Sequence, residues 1–181
     1  MSDTIFDAWL KRQLQEGCAL ADASDLLQLA PMSGDPPRNY LARFRCTGLV
    51  RDAGGAIRES NEFVVGVSFP ASYLRCVDPG GVVSLLAPHN VWHPNVTFGA
   101  PFICLGHLAP GTSLVDLLYQ VFEIITYSKV AMHDALNHDA AAWARGEDAA
   151  RFPVDRRPLK RPTTLVQSPP QSIGGGHAHV S

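Results

Sequence analysis

From residue 3 to 17 the apolar positions fall three and four apart: Ile5, Phe6, Trp9, Leu10 and Leu14. Lys11, Arg12 and Gln15 fill the other face. This period predicts an amphipathic helix with Phe6, Trp9 and Leu14 turned toward a core and Gly17 as its stop. Residues 25–29, DLLQL, suit a short strand, and the stretch APMSGDPPRN at 30–39 breaks it. From Tyr40 the period drops to two. Tyr40, Ala42, Phe44 and Cys46 share one face, while Leu41, Arg43, Arg45 and Thr47 share the other. That alternation predicts a half-buried strand. RDAGGAIRES at 51–60 reads as a turn, and NEFVVGVSFP at 61–70 as a second strand with Phe63, Val65, Val67 and Phe69 inward. VVSLLAP at 82–88 supplies a third. Three strands in succession predict an antiparallel meander.

The second half is helical. Ser113 is placed to cap a helix whose apolar face carries Leu114, Leu117, Leu118, Val121, Ile124 and Ile125. HDALNHDAAAWARGED at 133–148 predicts a further helix, opening near Asn137 or Asp139 and anchored by Trp143. Strands followed by helices, rather than alternating with them, give an α+β class. No period survives beyond Gly146, where proline, glycine, serine and basic residues dominate. The expected organisation is a domain over 1–148 and a flexible tail over 149–181.

Composition narrows the functional classes. The 181 residues fit one domain with a buried core, and a net charge of −2 suits neither a nucleic-acid coat nor a strongly anionic scaffold. No apolar run reaches a membrane span, because Asp116 and Glu123 interrupt the longest one. The acidic, amphipathic start does not read as a secretory signal, so a cytoplasmic setting is expected, with no nucleic acid and no membrane as partner. The four cysteines, Cys18, Cys46, Cys76 and Cys104, are scattered and form no CxxC. In a reducing compartment they read as free thiols.

Cys104 stands apart from the other three. It lies nine residues beyond Asn95, in the stretch HPNVTFGAPFICLGHL at 93–108. A thiol attacking a carbonyl needs donors for the oxyanion, and the Asn95 amide offers two in a turn stiffened by Pro94. On local chemistry alone, a cysteine in an apolar context such as PFICLG is more often structural than catalytic. The histidines pair in sequence at 89 and 93, 133 and 138, and 177 and 179. Pro94 argues against a helical ligand pair at the first, and no preformed metal site is expected. The Gly174–Gly176 run reads as linker, and RRPLKR at 156–161 as a solvated charge run.

The order of parts resembles the ubiquitin-conjugating enzymes. FVVGVSFPASY at 63–73 is similar to that family's strand and FPxxY segment, and WHPNV at 92–96 carries its His-Pro-Asn turn. ICL at 103–105 resembles its active-site stretch, PGTSLVDLLYQVFEIITY at 110–127 its next helix, and DALNHDAAAWAR at 134–145 its Asp-Pro-Leu-Asn segment. The resemblance spans about 3–145. Leu74 and Ala135 stand where the family carries prolines, the tryptophan expected before Pro110 is missing, and the loop 96–103 is unusually apolar. These departures point to a divergent, bacterial-type branch.

The resemblance implies a ubiquitin-conjugating fold: an N-terminal helix, an antiparallel meander and closing helices. It implies that Cys104 accepts a ubiquitin-like modifier from an activating enzyme as a thioester and yields it to an amine on a target protein. It further implies that Asn95 stabilises the oxyanion or holds the loop that does, that His93 shapes the turn, and that Asp134 helps orient and deprotonate the amine. Asp134 reads equally well as a carboxylate favoured at a helix start. No cofactor is needed. Two rivals stay open, a non-catalytic binding module on the same fold and a thiol hydrolase pairing Cys104 with His93.

Overall fold

The computed structural model describes residues 3–161. Helix α1 (Thr4–Asp22) opens at Asp3, whose carboxylate accepts the N–H groups of Ile5 and Phe6 and so satisfies two donors a helix start leaves free. Phe6 and Leu10 are buried, and Trp9 packs beside them, edge-on to Phe69 at 4.9 Å. Two expectations for this helix are corrected. Ile5, counted with the apolar face, is 74% exposed. Gly17 does not stop the helix: a Cβ there would meet Leu114 Cδ2 at 2.7 Å and Leu29 Cδ2 at 2.9 Å. Its missing side chain is what lets α1 approach β1 and α3, and the helix runs on for five residues.

Strands β1 (Leu27–Pro31), β2 (Asn39–Phe44), β5 (Phe63–Ser68) and β6 (Val83–Ala87) form one antiparallel sheet in the order β1-β2-β5-β6. Register follows the apolar alternation, with Tyr40 opposite Val67, Ala42 opposite Val65 and Phe44 opposite Phe63. A slip of one residue would turn all of these side chains out to solvent. The first strand extends two residues into the expected breaker, because Pro31 sits at its end on the sheet edge. Between β2 and β5 the expected plain turn is a separate hairpin, β3 (Gly48–Arg51) with β4 (Ile57–Ser60). Its charged residues hid the period, and the Arg58–Asp52 ion pair at 2.5 Å closes its turn. A short helix, α2 (Pro79–Val82), leads into β6.

Helix α3 (Leu114–Ile125) is capped by Ser113 as expected, and Leu114, Leu117, Leu118, Val121, Ile124 and Ile125 are all buried. Each such side chain contributes about 1.5–3 kcal/mol by leaving water. Gln13 of α1, unnoticed in the sequence, is buried and accepts the Leu114 N–H at 2.8 Å, joining the two helices by a polar bond inside the core. Helix α4 (His138–Gly146) opens at Asn137, whose side chain accepts the Ala140 N–H.

Beyond α4 the chain does not leave the domain. After a single 3-10 turn (Ala149–Arg151), Phe152 stacks on Tyr127 at 4.9 Å and the Val154 N–H donates to the Thr126 carbonyl. Asp155 accepts the Thr47 N–H at 2.8 Å, Leu159 is buried, and the Arg161 N–H reaches the Ala23 carbonyl at the end of α1. Residues 149–161 are therefore a strap and not part of the expected tail. They lack a period because isolated anchors, rather than a helix or strand, fasten them. The rest of that tail, 162–181, lies outside the described residues and includes the triple glycine and both tail histidines.

Candidate active site

The His93–Asn95 turn is built by hydrogen bonds between distant segments. The chain leaves β6, and residues 90–92 pair with the edge of β3: the Arg51 N–H donates to the Asn90 carbonyl and the Trp92 N–H to the Leu49 carbonyl. At the turn, His93 Nδ1 accepts the Asn95 N–H at 3.0 Å. His93 is 1% exposed, and burial pushes its pKa down to about 3, with the Lys129 backbone carbonyl pulling weakly the other way. The ring is therefore neutral, and Nε2 is buried without a completed hydrogen bond. With the Nδ1 lone pair taken by a backbone N–H, His93 offers no base to a neighbouring thiol.

Asn95 is buried and links three parts of the chain. Its backbone carbonyl accepts the Cys104 N–H at 2.8 Å, and its Nδ2 donates to the Cys104 carbonyl at 3.0 Å. Its Oδ1 accepts the Ala131 N–H at 2.8 Å. The Cys104 backbone is thus held on both sides by one residue. Cys104 itself is half buried, so its thiol is neither sealed in the core nor loosely displayed.

The same turn pins the approach to α4. The Pro94 carbonyl accepts the N–H groups of Leu136 and Asn137. Asp134 lies between the two tethers, Ala131 bonded to Asn95 and Leu136 bonded to Pro94. It is exposed and makes no hydrogen bond or ion pair among the described residues. Of the four expected site residues, bonds bring Cys104, Asn95 and His93 into one network, while Asp134 stands on the loop beside it.

The other thiols have different surroundings. Cys46 is fully buried, and its pKa is pushed up to about 12, by burial first and by the Asp155 carboxylate second. Cys76 is exposed, Cys18 half buried, and all four are free. No group of three or more His, Cys, Asp or Glu among the described residues could hold a metal ion, and no described helix is long and apolar enough to cross a membrane.

Two participants went unread in the sequence. Tyr127 follows α3 with a left-handed φ of 62°, its ring packs edge-on to His93 at 4.3 Å, and its hydroxyl donates to the Trp92 carbonyl. Lys129 Nζ donates to the Leu105 carbonyl at 2.7 Å, next to Cys104. Neither has a sequence signal, because each acts across more than twenty residues of chain.

No sequence-family model matches the chain, and no curated protein matches it in sequence. Solved structures do. Ubc12 of Saccharomyces cerevisiae superposes with a TM-score of 0.54 at 18% identity, over 78% of this chain and 70% of that one. The E2 domain of a Toxoplasma gondii ubiquitin conjugating enzyme gives 0.50 at 16% identity, over 76% and 85%. The fold is that of the ubiquitin-conjugating enzymes. On this fold the N-terminal helix, antiparallel sheet and later helices stand as the sequence led one to expect.

Proposed function

We propose that this protein is a ubiquitin-like-modifier conjugating enzyme. Cys104 accepts the modifier's C-terminal carbonyl from an activating enzyme as a thioester, and passes it to an amine on a target. The observation that carries this reading is the reciprocal bonding of Asn95 and Cys104, on a ubiquitin-conjugating fold, beside a half-buried thiol. An acyl carrier needs a thiol that is reachable yet held rigidly where charge develops.

In this reading Asn95 acts mainly by holding the Cys104 loop, since both ends of its amide are engaged with backbone. His93 shapes the turn and does not shuttle protons. Asp134, exposed beside the turn, orients the incoming amine and accepts its proton. The thiol-hydrolase alternative loses its support, because a buried, neutral His93 whose Nδ1 is occupied cannot serve as its base. A binding module without chemistry would have no need for a tethered thiol. The apolar loop after the turn and the replaced prolines fit a bacterial-type conjugation system in the cytoplasm.

The test is a trapped thioester. With ATP, an activating enzyme and its modifier, the wild-type chain should form an adduct that a thiol reductant cleaves. Cys104→Ser should give a thiol-resistant oxyester or none, while substitutions at Cys18, Cys46 and Cys76 leave loading intact. Thiol-sensitive loading that persists in Cys104→Ser overturns the assignment.

A further inference from the structure

Lys129 belongs to no motif, yet it occupies a specific place. Its side chain is half buried, and Nζ donates to the Leu105 carbonyl at 2.7 Å and to Gln120 Oε1 at 3.2 Å. No described carboxylate pairs with it. A partly buried ammonium satisfied only by neutral oxygens is a costly way to fill space, and this one is aimed at the residue that follows Cys104.

Two peptide units follow that cysteine. The carbonyl of the first, on Cys104, is held by Asn95 Nδ2, and the carbonyl of the second, on Leu105, by Lys129 Nζ. In a trans peptide the N–H points opposite its carbonyl, so anchoring the two carbonyls fixes the direction of the two N–H groups, those of Leu105 and Gly106. Neither N–H takes a partner among the described residues. Leu105 is 3% exposed, and buried backbone N–H groups without partners are rare. Gly106 has a φ of +88°, and a Cβ on it would meet nothing within 4 Å. Consecutive free N–H groups beside a left-handed residue make an anion-binding concavity.

We propose that Lys129 is a positioning residue for acyl transfer at Cys104, holding the Leu105–Gly106 peptide so that the Leu105 and Gly106 N–H groups receive the oxyanion. The inference rests on the reading of Cys104 as the acyl-bearing thiol. When an amine attacks the thioester, its nitrogen bonds to the carbonyl carbon and the carbonyl π pair moves to oxygen. The two N–H groups hold that charge. As the pair returns, the C–S bond breaks, Cys104 leaves as thiolate, and the nitrogen's surplus proton passes to the Asp134 carboxylate and from there to solvent. Asn95 and Lys129 thus act through backbone rather than on the oxyanion itself.

The test compares two reactions of the same thiol, in the full chain with Cys18 and Cys76 changed to serine. Acylation by p-nitrophenyl acetate passes through a tetrahedral oxyanion, whereas alkylation by iodoacetamide is a direct displacement and forms none. Lys129→Met should slow acylation about tenfold, a partial loss of what one oxyanion donor supplies. Alkylation should stay at the wild-type rate, and Lys129→Arg should recover most of the acylation. Equal loss in both reactions would assign Lys129 to ionisation of the thiol, and no loss in either would assign it to packing; each outcome overturns the proposal. If Lys129→Met does not fold, Lys129→Gln is judged by the same ratio. Neither probe uses a modifier, so a failure of thioester loading with an activating enzyme is read separately from a failure here.

Discussion

The core around the main sheet and the region around the His93–Asn95 turn are held together differently. In the first, Phe44, Phe63, Val65 and Leu117 are fully buried, and their order along the chain already repeats with the period of the element they occupy. In the second, a small cluster of Leu49, Trp92, Tyr127, Ala140 and Ala144 is crossed by polar bonds from His93, Asn95 and Tyr127. The apolar core tolerates few changes of volume but is indifferent to direction. The turn depends on direction almost entirely, since each bond fixes where a backbone group near Cys104 points. Stability sits mainly in the one, and the geometry around the Cys104 backbone in the other.

The sharpest test of that division is a pair of substitutions. Phe63→Ala should cost about 3–5 kcal/mol, as expected for an aromatic removed from a close-packed interior. Asn95→Ala should cost about 1–3 kcal/mol, the penalty for leaving buried partners unpaired. Their effects on chemistry should run the other way. Per folded molecule, Phe63→Ala should discharge a loaded modifier at nearly the wild-type rate, and Asn95→Ala far more slowly. Denaturant titration and single-turnover discharge measure the two quantities. Equal discharge per folded molecule would make Asn95 a purely structural residue.

The strap joins the two regions, since it runs from Phe152 on Tyr127 to Arg161 on the end of α1. Ending the chain after residue 148, at the boundary expected from composition, should destabilise it by about 3 kcal/mol through loss of the Phe152 and Leu159 contacts. Ending it after 161 should leave the unfolding midpoint within error. Identical midpoints for the two truncations would show that the strap adds nothing.

How legible all this was depended on range. β2, β5 and α3 were readable because their burial repeats locally, at two or at three to four residues. Gly17 misled because a helix-interior glycine that admits a neighbour looks the same in sequence as one that ends a helix. The strap was invisible for a similar reason, as isolated anchors separated by turns make no period. At the candidate site, a motif pointed to Cys104, Asn95 and His93 but not to the partners that bond to them. Ala131, Tyr127 and Lys129 act through long-range bonds that no local pattern encodes.

Asp155 allows the strap to be probed by pH. Burial alone would raise its pKa, but hydrogen bonds from the Arg157 side chain and from the Thr47 and Arg157 backbone outweigh it and hold the carboxyl at about 2. The folded-state value is thus below the ordinary 3.8, so the stabilisation is fully present above that value and is lost as pH falls toward 2. The wild type should therefore lose stability as the pH falls from about 4 toward 2. Asp155→Asn should be less stable at pH 7 and should lose part of the acid dependence between about pH 4 and 2. Parallel stability curves for the two proteins across that window would remove Asp155 from the account.

The smallest effect is expected where neither region reaches, on the outer face of α1. Lys11, Arg12 and Gln15 are exposed there, and Arg12 pairs with Glu16 at 2.7 Å in an open i,i+4 arrangement. Such a pair contributes about 0.3–0.5 kcal/mol, so changing Lys11 and Arg12 to glutamate should barely move the unfolding midpoint. If this face meets the activating enzyme, the charges should matter to encounter rather than to catalysis. Thioester loading should then slow a few-fold at low salt, and the difference should fade as ionic strength shortens the screening length toward about 8 Å. Discharge of preloaded protein to a free amine needs no activating enzyme and should not change. Loading rates that match the wild type across the salt series would leave these side chains as an ordinary solvated surface and would move the docking face elsewhere on the molecule.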